Sequence, residues 1–220
     1  MKKIIIFNGS PRRNGNSAAM FQKFKEGAEN AGALTETINT HELDLKYCTG
    51  CLRCNILKRC SLTGDEWQTI SEKILEADVV VFASPVYFHH VTAPVKIMID
   101  RFRSFIHVQI TETGLKHTPH HTWKKDFVLL LSMGSSDNTD AEPVIDLFGF
   151  MTEMLGDGNA LHVIEATRLA VVNQVLKNEQ ELKALYSKLL IPGYLAEADH
   201  LKNIQTLEDC YRLGHSLSKE

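Results

Sequence analysis

Short apolar segments that alternate with helical segments are the feature that most constrains the fold of this chain. The run KIIIFN at Lys3–Asn8 is rich in β-branched and aromatic residues, which suits a strand buried on both faces of a parallel sheet. Further strands are predicted at 34–39, 79–84, 127–132 and 161–166. The pattern therefore predicts five parallel strands joined by crossover connections.

Helices are predicted between these strands. Asn16 or Ser17 can cap the first helix, and Met20, Phe24 and Ala28 form its inward face through their four-residue spacing. Three more helices are predicted at 65–77, 93–105 and 142–155. Because such crossovers are nearly always right-handed, helices should cover both faces of the sheet and form an α/β three-layer sandwich.

The length of 220 residues and a hydrophobic content of 44% suit one domain. We expect this domain at 1–170, with a cysteine-rich loop at 44–64, followed by a helical C-terminal extension at 171–220. The extension should pack on the core or form a subunit contact. The segment 107–125 lies outside this scheme, and we favour an exposed loop or a dimer contact there over a metal site built from its histidines.

The formal net charge of -3 provides no large single-sign field, so neither nucleic acid nor an acidic membrane surface is expected as a partner. No apolar stretch approaches the length needed to cross a bilayer. We expect a cytoplasmic protein whose partners are small molecules or other proteins.

The segment NGSPRRNGNSAAM, between the first strand and the first helix, is a candidate phosphate loop. Gly9 and Gly15 permit close backbone approach, the hydroxyls of Ser10 and Ser17 can donate, and Arg12 adds charge beside the helix amides. The alternative is an ordinary strand-to-helix turn. Neither GxGxxG nor GxxxxGK[ST] is present, which excludes a Rossmann dinucleotide loop and a P-loop.

The segment 84–88 follows the third strand and combines apolar and aromatic side chains with free backbone amides. Ligands in such folds bind beyond the carboxyl ends of strands at the topological switch point, so this segment suits a flat aromatic ring. The alternative is that Tyr87 and Phe88 are interface aromatics. A third loop could close over the ring from the other side through Ser132, Met133 and Gly134.

Four cysteines form the pattern C-x2-C-x2-C-x5-C at Cys48, Cys51, Cys54 and Cys60. Short gaps let a loop fold around a compact inorganic core, and a [4Fe-4S] cluster is the leading interpretation. A four-thiolate zinc site, a disulfide and free thiols are the alternatives. Cys210 stands far from this cluster and is predicted to be a buried small residue.

Two motif pairs, GSPR with GNS and SPVYF with K..IDR, resemble the NADPH-dependent FMN reductase and iron-sulfur flavoprotein branch of the flavodoxin-like superfamily. The resemblance covers roughly the first 135 to 165 residues. It implies a sheet of order 2-1-3-4-5 and a homodimer or homotetramer. It also implies an FMN phosphate held by Ser10, Arg12, Asn16, Ser17 and Ala18, a ring bordered by Pro85, Val86, Tyr87 and Phe88, and cluster ligands at Cys48, Cys51, Cys54 and Cys60.

The resulting expectation is an FMN-dependent oxidoreductase that takes electrons from NAD(P)H or reduced ferredoxin and passes them to an acceptor, with the cluster as a second redox centre. No side chain needs to act as a general base, because the cofactor supplies the reactivity. The alternatives are a cluster-free quinone, nitro or flavin reductase and a non-enzymatic redox carrier or sensor.

Overall fold

The computed structural model describes residues 1–219, which contain seven strands and seven α-helices. The strands are β1 Lys3–Asn8, β2 Leu34–Asn39, β3 Val79–Pro85, β4 Ile106–Thr111, β5 Gly114–Pro119, β6 Asp126–Ser132 and β7 Ala160–Ala166. The helices are α1 Asn16–Asn30, α2 Cys54–Leu57, α3 Trp67–Glu76, α4 Ala93–Arg101, α5 Glu142–Leu155, α6 Glu179–Leu189 and α7 Leu195–Leu217.

Five of the strands form one parallel sheet of order β2-β1-β3-β6-β7. Because β6 and β7 are the fourth and fifth strands of this sheet, the predicted order 2-1-3-4-5 and the flavodoxin-like fold are confirmed. Asn8 pairs with Ala83 in the register of β1 and β3. The loops that follow these two central strands therefore leave the same edge of the sheet side by side.

Two apolar layers cover the sheet because side chains alternate between its faces. Phe7 and Phe82 point to the layer of α3, α4 and α5, where Phe148 packs against Phe82 at 5.0 Å between ring centroids. Ile6 points to the opposite layer, which contains Phe24 of α1. Cys210 of α7 is fully buried in this second layer, as predicted.

The start of α1 differs from the prediction. Gly15 is the N-cap residue and no side chain caps the helix, whereas Asn16 and Ser17 are its first two residues. Both side chains form hydrogen bonds with distant residues. Asn16 donates to the carbonyl of Val171 at 2.9 Å, and the Ser17 hydroxyl lies 2.8 Å from that of Ser132. Tertiary hydrogen bonds have therefore replaced the local cap.

The segment 107–125 contains an antiparallel hairpin rather than a loop, since β4 pairs with β5 from Ile106 opposite Pro119 to Thr111 opposite Gly114. Within residues 1–219 the two strands form a sheet of their own. Asn55 of α2 bonds Val108 in the manner of a neighbouring strand, with its Nδ2 donating to the carbonyl at 2.8 Å and its Oδ1 accepting from the amide at 3.0 Å. The hairpin therefore rests against the cysteine loop.

The C-terminal helix α7 begins at Leu195 and packs along α1. The two helices approach closely at Gly27 and Gly214. A Cβ atom on Gly27 would lie 2.0 Å from the carbonyl oxygen of Tyr211, and one on Gly214 would lie 2.0 Å from that of Phe24. The extension thus packs on the core. None of the helices within 1–219 is long and apolar enough to cross a membrane.

Replacing Gly27 by alanine should destabilise the protein by about 1–3 kcal/mol, because the new methyl group forces α1 and α7 apart. Alanine would otherwise favour a helix interior over glycine. Urea unfolding of Gly27→Ala measures the effect, with Gly149→Ala as the matched control, since a Cβ at Gly149 in α5 meets no atom within 4 Å. Equal stability of the two variants would contradict the close helix contact.

Candidate functional site

The loop between β1 and α1 is held in a tight shape by its own hydrogen bonds. The Ser10 Oγ lies 3.2 Å from both the amide and the carbonyl of Arg12, and the Gly15 amide donates to that carbonyl at 3.0 Å. A Cβ on Gly15 would lie 2.7 Å from the Ser10 Oγ. A residue with a side chain at this position would therefore displace the Ser10 hydroxyl or shift the Arg12 carbonyl.

The N-terminus of α1 opens into this loop without a neutralising group. Its first turn contains no acidic residue, and Gly15 supplies no capping side chain. The unpaired amides of a first helical turn carry partial positive charge and attract anions. Arg12 lies at the rim, where its Nη1 donates to the carbonyl of Ala170 at 3.3 Å. The arrangement is suited to a phosphate group.

The loop after β3 is a second rigid element. The Val86 amide donates to the Ser132 carbonyl at 2.9 Å, and the main chains of Tyr87 and His90 bond each other at 2.8 and 3.0 Å. Phe88 and His89 occupy the tip of this turn in the left-handed region, with φ values of 50° and 59°. His90 accepts from the Val91 amide at 3.0 Å and so covers the start of α4.

The two loops meet at one cavity of about 210 Å³. Nine of the twelve residues predicted for the cofactor line it, namely Ser10, Arg12, Asn16, Ser17, Pro85, Val86, Tyr87, Ser132 and Gly134. Ala18 is buried beside it, Met133 points into the core, and the Phe88 side chain is fully exposed to solvent. Gly15, Leu169 and Ala170 line the cavity without having been predicted as site residues.

The residues that prediction missed have different origins. Gly15 belongs to the predicted phosphate loop and was considered only for its backbone freedom. Leu169 and Ala170 follow β7, more than 150 residues along the chain from Asn16, whose side chain bonds Leu169 at a separation of 153. A loop after the last strand lies at the same carboxyl edge of the sheet, and that rule is the one signal that could have identified it.

All four clustered cysteines line a second cavity, of about 200 Å³. Cys54 is buried, its Sγ lies 3.4 Å from Nη1 of Arg103, and burial raises the pKa of its thiol. Cys51 is exposed, and a hydrogen bond to Ser61 at 3.4 Å lowers its thiol pKa. The thiols are all free, and within 1–219 no three metal-ligating side chains converge on one point.

The cysteine loop is closed at its base by a buried ion pair. Arg101 Nη1 lies 2.5 Å from Oδ2 of Asp65 and 2.5 Å from the carbonyl of Lys46, and both side chains of the ion pair are fully buried. The guanidinium also stacks over Trp67, 5.3 Å from the ring centroid. The residues on either side of the four cysteines are thereby tied to the end of α4. Asp100, the preceding residue, forms a separate and exposed ion pair with Lys96.

A family model for NADPH-dependent FMN reductase matches residues 2–168. An iron-sulfur flavoprotein of Archaeoglobus fulgidus is 36% identical over 107 residues, which are 49% of this chain and 48% of the relative. A putative NAD(P)H-dependent FMN-containing oxidoreductase of Bacillus subtilis, YwqN, is 29% identical over 102 residues, 46% of this chain and 52% of the relative. The chain thus spans about half the length of the curated relatives it matches.

Two solved structures are similar over nearly the whole chain. The NAD(P)H:quinone oxidoreductase of Methanothermobacter marburgensis has a TM-score of 0.64 at 16% identity and covers 100% of this chain and 97% of its own. An FMN-dependent NADH-azoreductase of Bacillus anthracis, solved with FMN, has a TM-score of 0.62 at 16% identity and 100% coverage of both chains. These structures share the fold, and the family model establishes that the chain belongs to the NADPH-dependent FMN reductase family of oxidoreductases.

Proposed function

We propose that this protein binds FMN in the 210 Å³ cavity and uses it to pass electrons from NAD(P)H or reduced ferredoxin to an acceptor. The observation that carries this proposal is the meeting of two predicted loops. The phosphate loop after β1 and the ring loop after β3 were assigned from separate motifs, and both line the same cavity. One FMN molecule can contact both the phosphate loop and the ring loop only if the two loops lie within the length of the cofactor.

The phosphate would lie against the first-turn amides of α1, from Asn16 to Ala18, with Ser10, Ser17 and Arg12 around it. Charge-assisted hydrogen bonds of this kind are short and strong. Ser17 is already oriented, since its hydroxyl lies 2.8 Å from that of Ser132. The phosphate loop would thus provide the electrostatic part of the affinity.

The flavin ring would lie along 85–88 and beside Ser132 and Gly134. When bound, FMN supplies hydride transfer and single-electron transfer, which allows it to connect two-electron and one-electron partners. The protein's part is to position the ring and to exclude water from one face of it with Pro85 and Val86. The amides of Val86 and Tyr87 already donate to Ser132 and His90, so they keep the loop in shape and do not bind the ring. No acid or base in the cavity wall is needed for this role.

Cys48, Cys51, Cys54 and Cys60 would hold a [4Fe-4S] cluster as the second redox centre. The chemistry of the donors suits such a group, because four thiols line one cavity and the guanidinium of Arg103 lies beside Cys54, and the thiols would have to converge when the cluster binds. Thiolates are the usual ligands of these clusters, and nearby positive charge and hydrogen bonds adjust the potential. With such a cluster, reduced ferredoxin would serve as a one-electron donor alongside NAD(P)H.

The absorption spectrum and the metal content of protein purified without oxygen test both centres. Flavin bands together with about four irons per chain, as a [4Fe-4S] cluster requires, are the expected result. Oxidation of NAD(P)H with an artificial acceptor should then proceed at a steady rate. A protein that purifies without flavin and binds no added FMN would contradict the central proposal.

Replacing Cys51 by serine should remove most of the iron and leave the flavin in place, because the hydroxyl is a poor cluster ligand and the FMN cavity does not include this residue. The matched control is Cys210→Ala, which removes a thiol buried far from the loop. Iron analysis and the flavin spectrum of both variants give the answer. Equal iron content in the two variants would exclude Cys51 as a ligand.

A cluster-free NAD(P)H-dependent quinone, nitro or flavin reductase is the second candidate function. The exposed position of Cys51 and the absence of three converging ligands within 1–219 favour it. Flavin without iron, accompanied by NAD(P)H turnover, would identify this case. A homodimer or homotetramer remains a prediction in either case, and light scattering of the purified protein measures it.

A further inference from the structure

The C-terminal segment 168–176 leaves β7 and runs along the mouth of the cofactor cavity. We propose that this segment belongs to the FMN site. It positions Arg12 for the phosphate and is itself held in place by Asn16 and Gln174. Asn16 is then a positioning residue through its side chain. The inference rests on the proposed binding of FMN and extends the site beyond residue 168, where the match to the family model ends.

The Asn16 side chain is buried and fully engaged with this segment. Its Nδ2 donates to the carbonyls of Leu169 at 3.3 Å and Val171 at 2.9 Å, and its Oδ1 accepts from the Val175 amide at 3.1 Å. With the amide group so occupied, only the main chain of Asn16 remains for an anion. The residue thus joins the first turn of α1 to the C-terminal segment.

Gln174 fixes the segment from within. Its side chain is completely buried, with Oε1 accepting from the amides of Ala170 at 2.9 Å and Val171 at 3.2 Å. Its Nε2 donates to the carbonyl of Arg168 at 2.6 Å. The Gln174 side chain therefore closes 168–174 into a compact turn. This side chain does not line the cavity itself.

The turn presents Leu169 and Ala170 to the cofactor cavity. The carbonyl of Ala170 also accepts a hydrogen bond from Nη1 of Arg12 at 3.3 Å. Arg12 is otherwise an exposed side chain on a loop, and a long side chain loses rotamer entropy when it is fixed. Because the hydrogen bond to Ala170 already restricts the Arg12 side chain, less rotamer entropy is lost when the phosphate binds.

The segment is anchored to the extension by a buried cluster around Asp199 of α7. Arg168 donates to both carboxylate oxygens at 2.7 to 3.0 Å, and Lys202 and the Tyr186 hydroxyl donate at 2.9 and 2.6 Å. Burial alone would raise the pKa of Asp199, but these donors lower it to about 2. The carboxylate is charged at neutral pH, and the C-terminal helices therefore support the mouth of the FMN cavity.

The decisive experiment compares two ligands on the full chain with Gln174→Met. The variant leaves the amides of Ala170 and Val171 without their acceptor, so Arg12 loses its fixed partner. The dissociation constant of FMN, measured by flavin fluorescence, should rise about 10-fold, the effect of one hydrogen bond to a charged group. That of riboflavin, which lacks the phosphate, should stay within about twofold. Gln205→Met, on the exposed face of α7, is the matched control.

A double-mutant cycle identifies the route of the effect. In an Arg12→Ala background, Gln174→Met should cause no further loss of FMN affinity, because its effect passes through the guanidinium. Additive losses, an equal loss of riboflavin affinity, or an unchanged FMN affinity would each overturn the proposal. Failure of the unaltered protein to bind FMN would instead overturn the proposed function.

A second variant covers the case in which Gln174→Met does not fold. Gln174→Glu keeps an oxygen acceptor for the amides of Ala170 and Val171 but puts a carboxyl oxygen in place of the donor to the Arg168 carbonyl, so a loss of FMN affinity in the same direction is expected. Hydrogen exchange provides a readout independent of activity. The amides of Ala170 and Val171 should exchange faster in the variant while those of β1 and β3 stay protected, and unchanged protection at 170–171 would contradict the role of Gln174.

Discussion

Replacing Arg101 by methionine should lower the free energy of unfolding by about 3–5 kcal/mol, because it leaves the buried carboxylate of Asp65 without its partner. Both side chains of the pair are fully buried, with Nη1 and Oδ2 2.5 Å apart. Burial raises the pKa of Asp65, and the hydrogen bonds and charge of Arg101 outweigh this and lower it. Denaturant unfolding measures the loss.

Two controls separate the buried ion pair from general disturbance. Asp100, the residue before Arg101, forms an exposed ion pair with Lys96. Asp100→Asn removes this pair, and the free energy of unfolding should change by less than about 1 kcal/mol. The double variant Arg101→Met with Asp65→Leu should recover much of the stability, because no isolated charge remains buried. A double variant as unstable as Arg101→Met alone would show that packing against Trp67, and not the charge pair, carries the effect.

The same pair determines a pH dependence with a defined sign. A carboxyl whose pKa is lowered on folding binds fewer protons in the folded state, so its contribution is complete above the ordinary value of 3.8. The contribution disappears as the pH falls through the lower folded pKa. The stability difference between the unaltered protein and the Arg101→Met variant should therefore shrink in acid and remain constant around neutral pH.

Replacing Gly15 by alanine should weaken FMN binding roughly 10- to 100-fold, the equivalent of one charge-assisted hydrogen bond of about 1.5–3 kcal/mol. The new Cβ would lie 2.7 Å from the Ser10 Oγ and 3.1 Å from the Arg12 carbonyl. Relief of this contact requires the Ser10 hydroxyl to rotate away from Arg12 or the loop to open. Either movement displaces donors that the phosphate needs.

Fluorescence titration with FMN measures this effect, and Gly149→Ala is again the matched control. That substitution introduces the same methyl group into α5, where nothing lies within 4 Å, and FMN affinity should not change. Because the φ of Gly15 is -74°, alanine causes no backbone strain there, and a loss of affinity reports on space alone. Unchanged affinity in Gly15→Ala would place the phosphate elsewhere.

The strands of the sheet and the two loops that meet at the 210 Å³ cavity were predictable from the amino-acid sequence. The run at Lys3–Asn8 is apolar throughout because both faces of β1 are covered, and such patterns are visible without any tertiary contact. The positions of the phosphate loop and of 84–88 followed from the rule that parallel strands end at one edge. Local chemistry and topology were sufficient for these features.

The contacts that individual side chains make were visible only in the folded chain. A local pattern favours Asn16 as a helix cap, yet its amide bonds Val171 at a sequence separation of 155. Phe88 points into solvent, and Met133, which was predicted to cover the ring, lies in the core. Hydrogen bonds between groups so distant in the chain leave no periodic signal, because their partners are brought together by packing of the helices against the sheet. For the same physical reason, the anchoring of the cysteine loop by Arg101 became visible only in the folded chain.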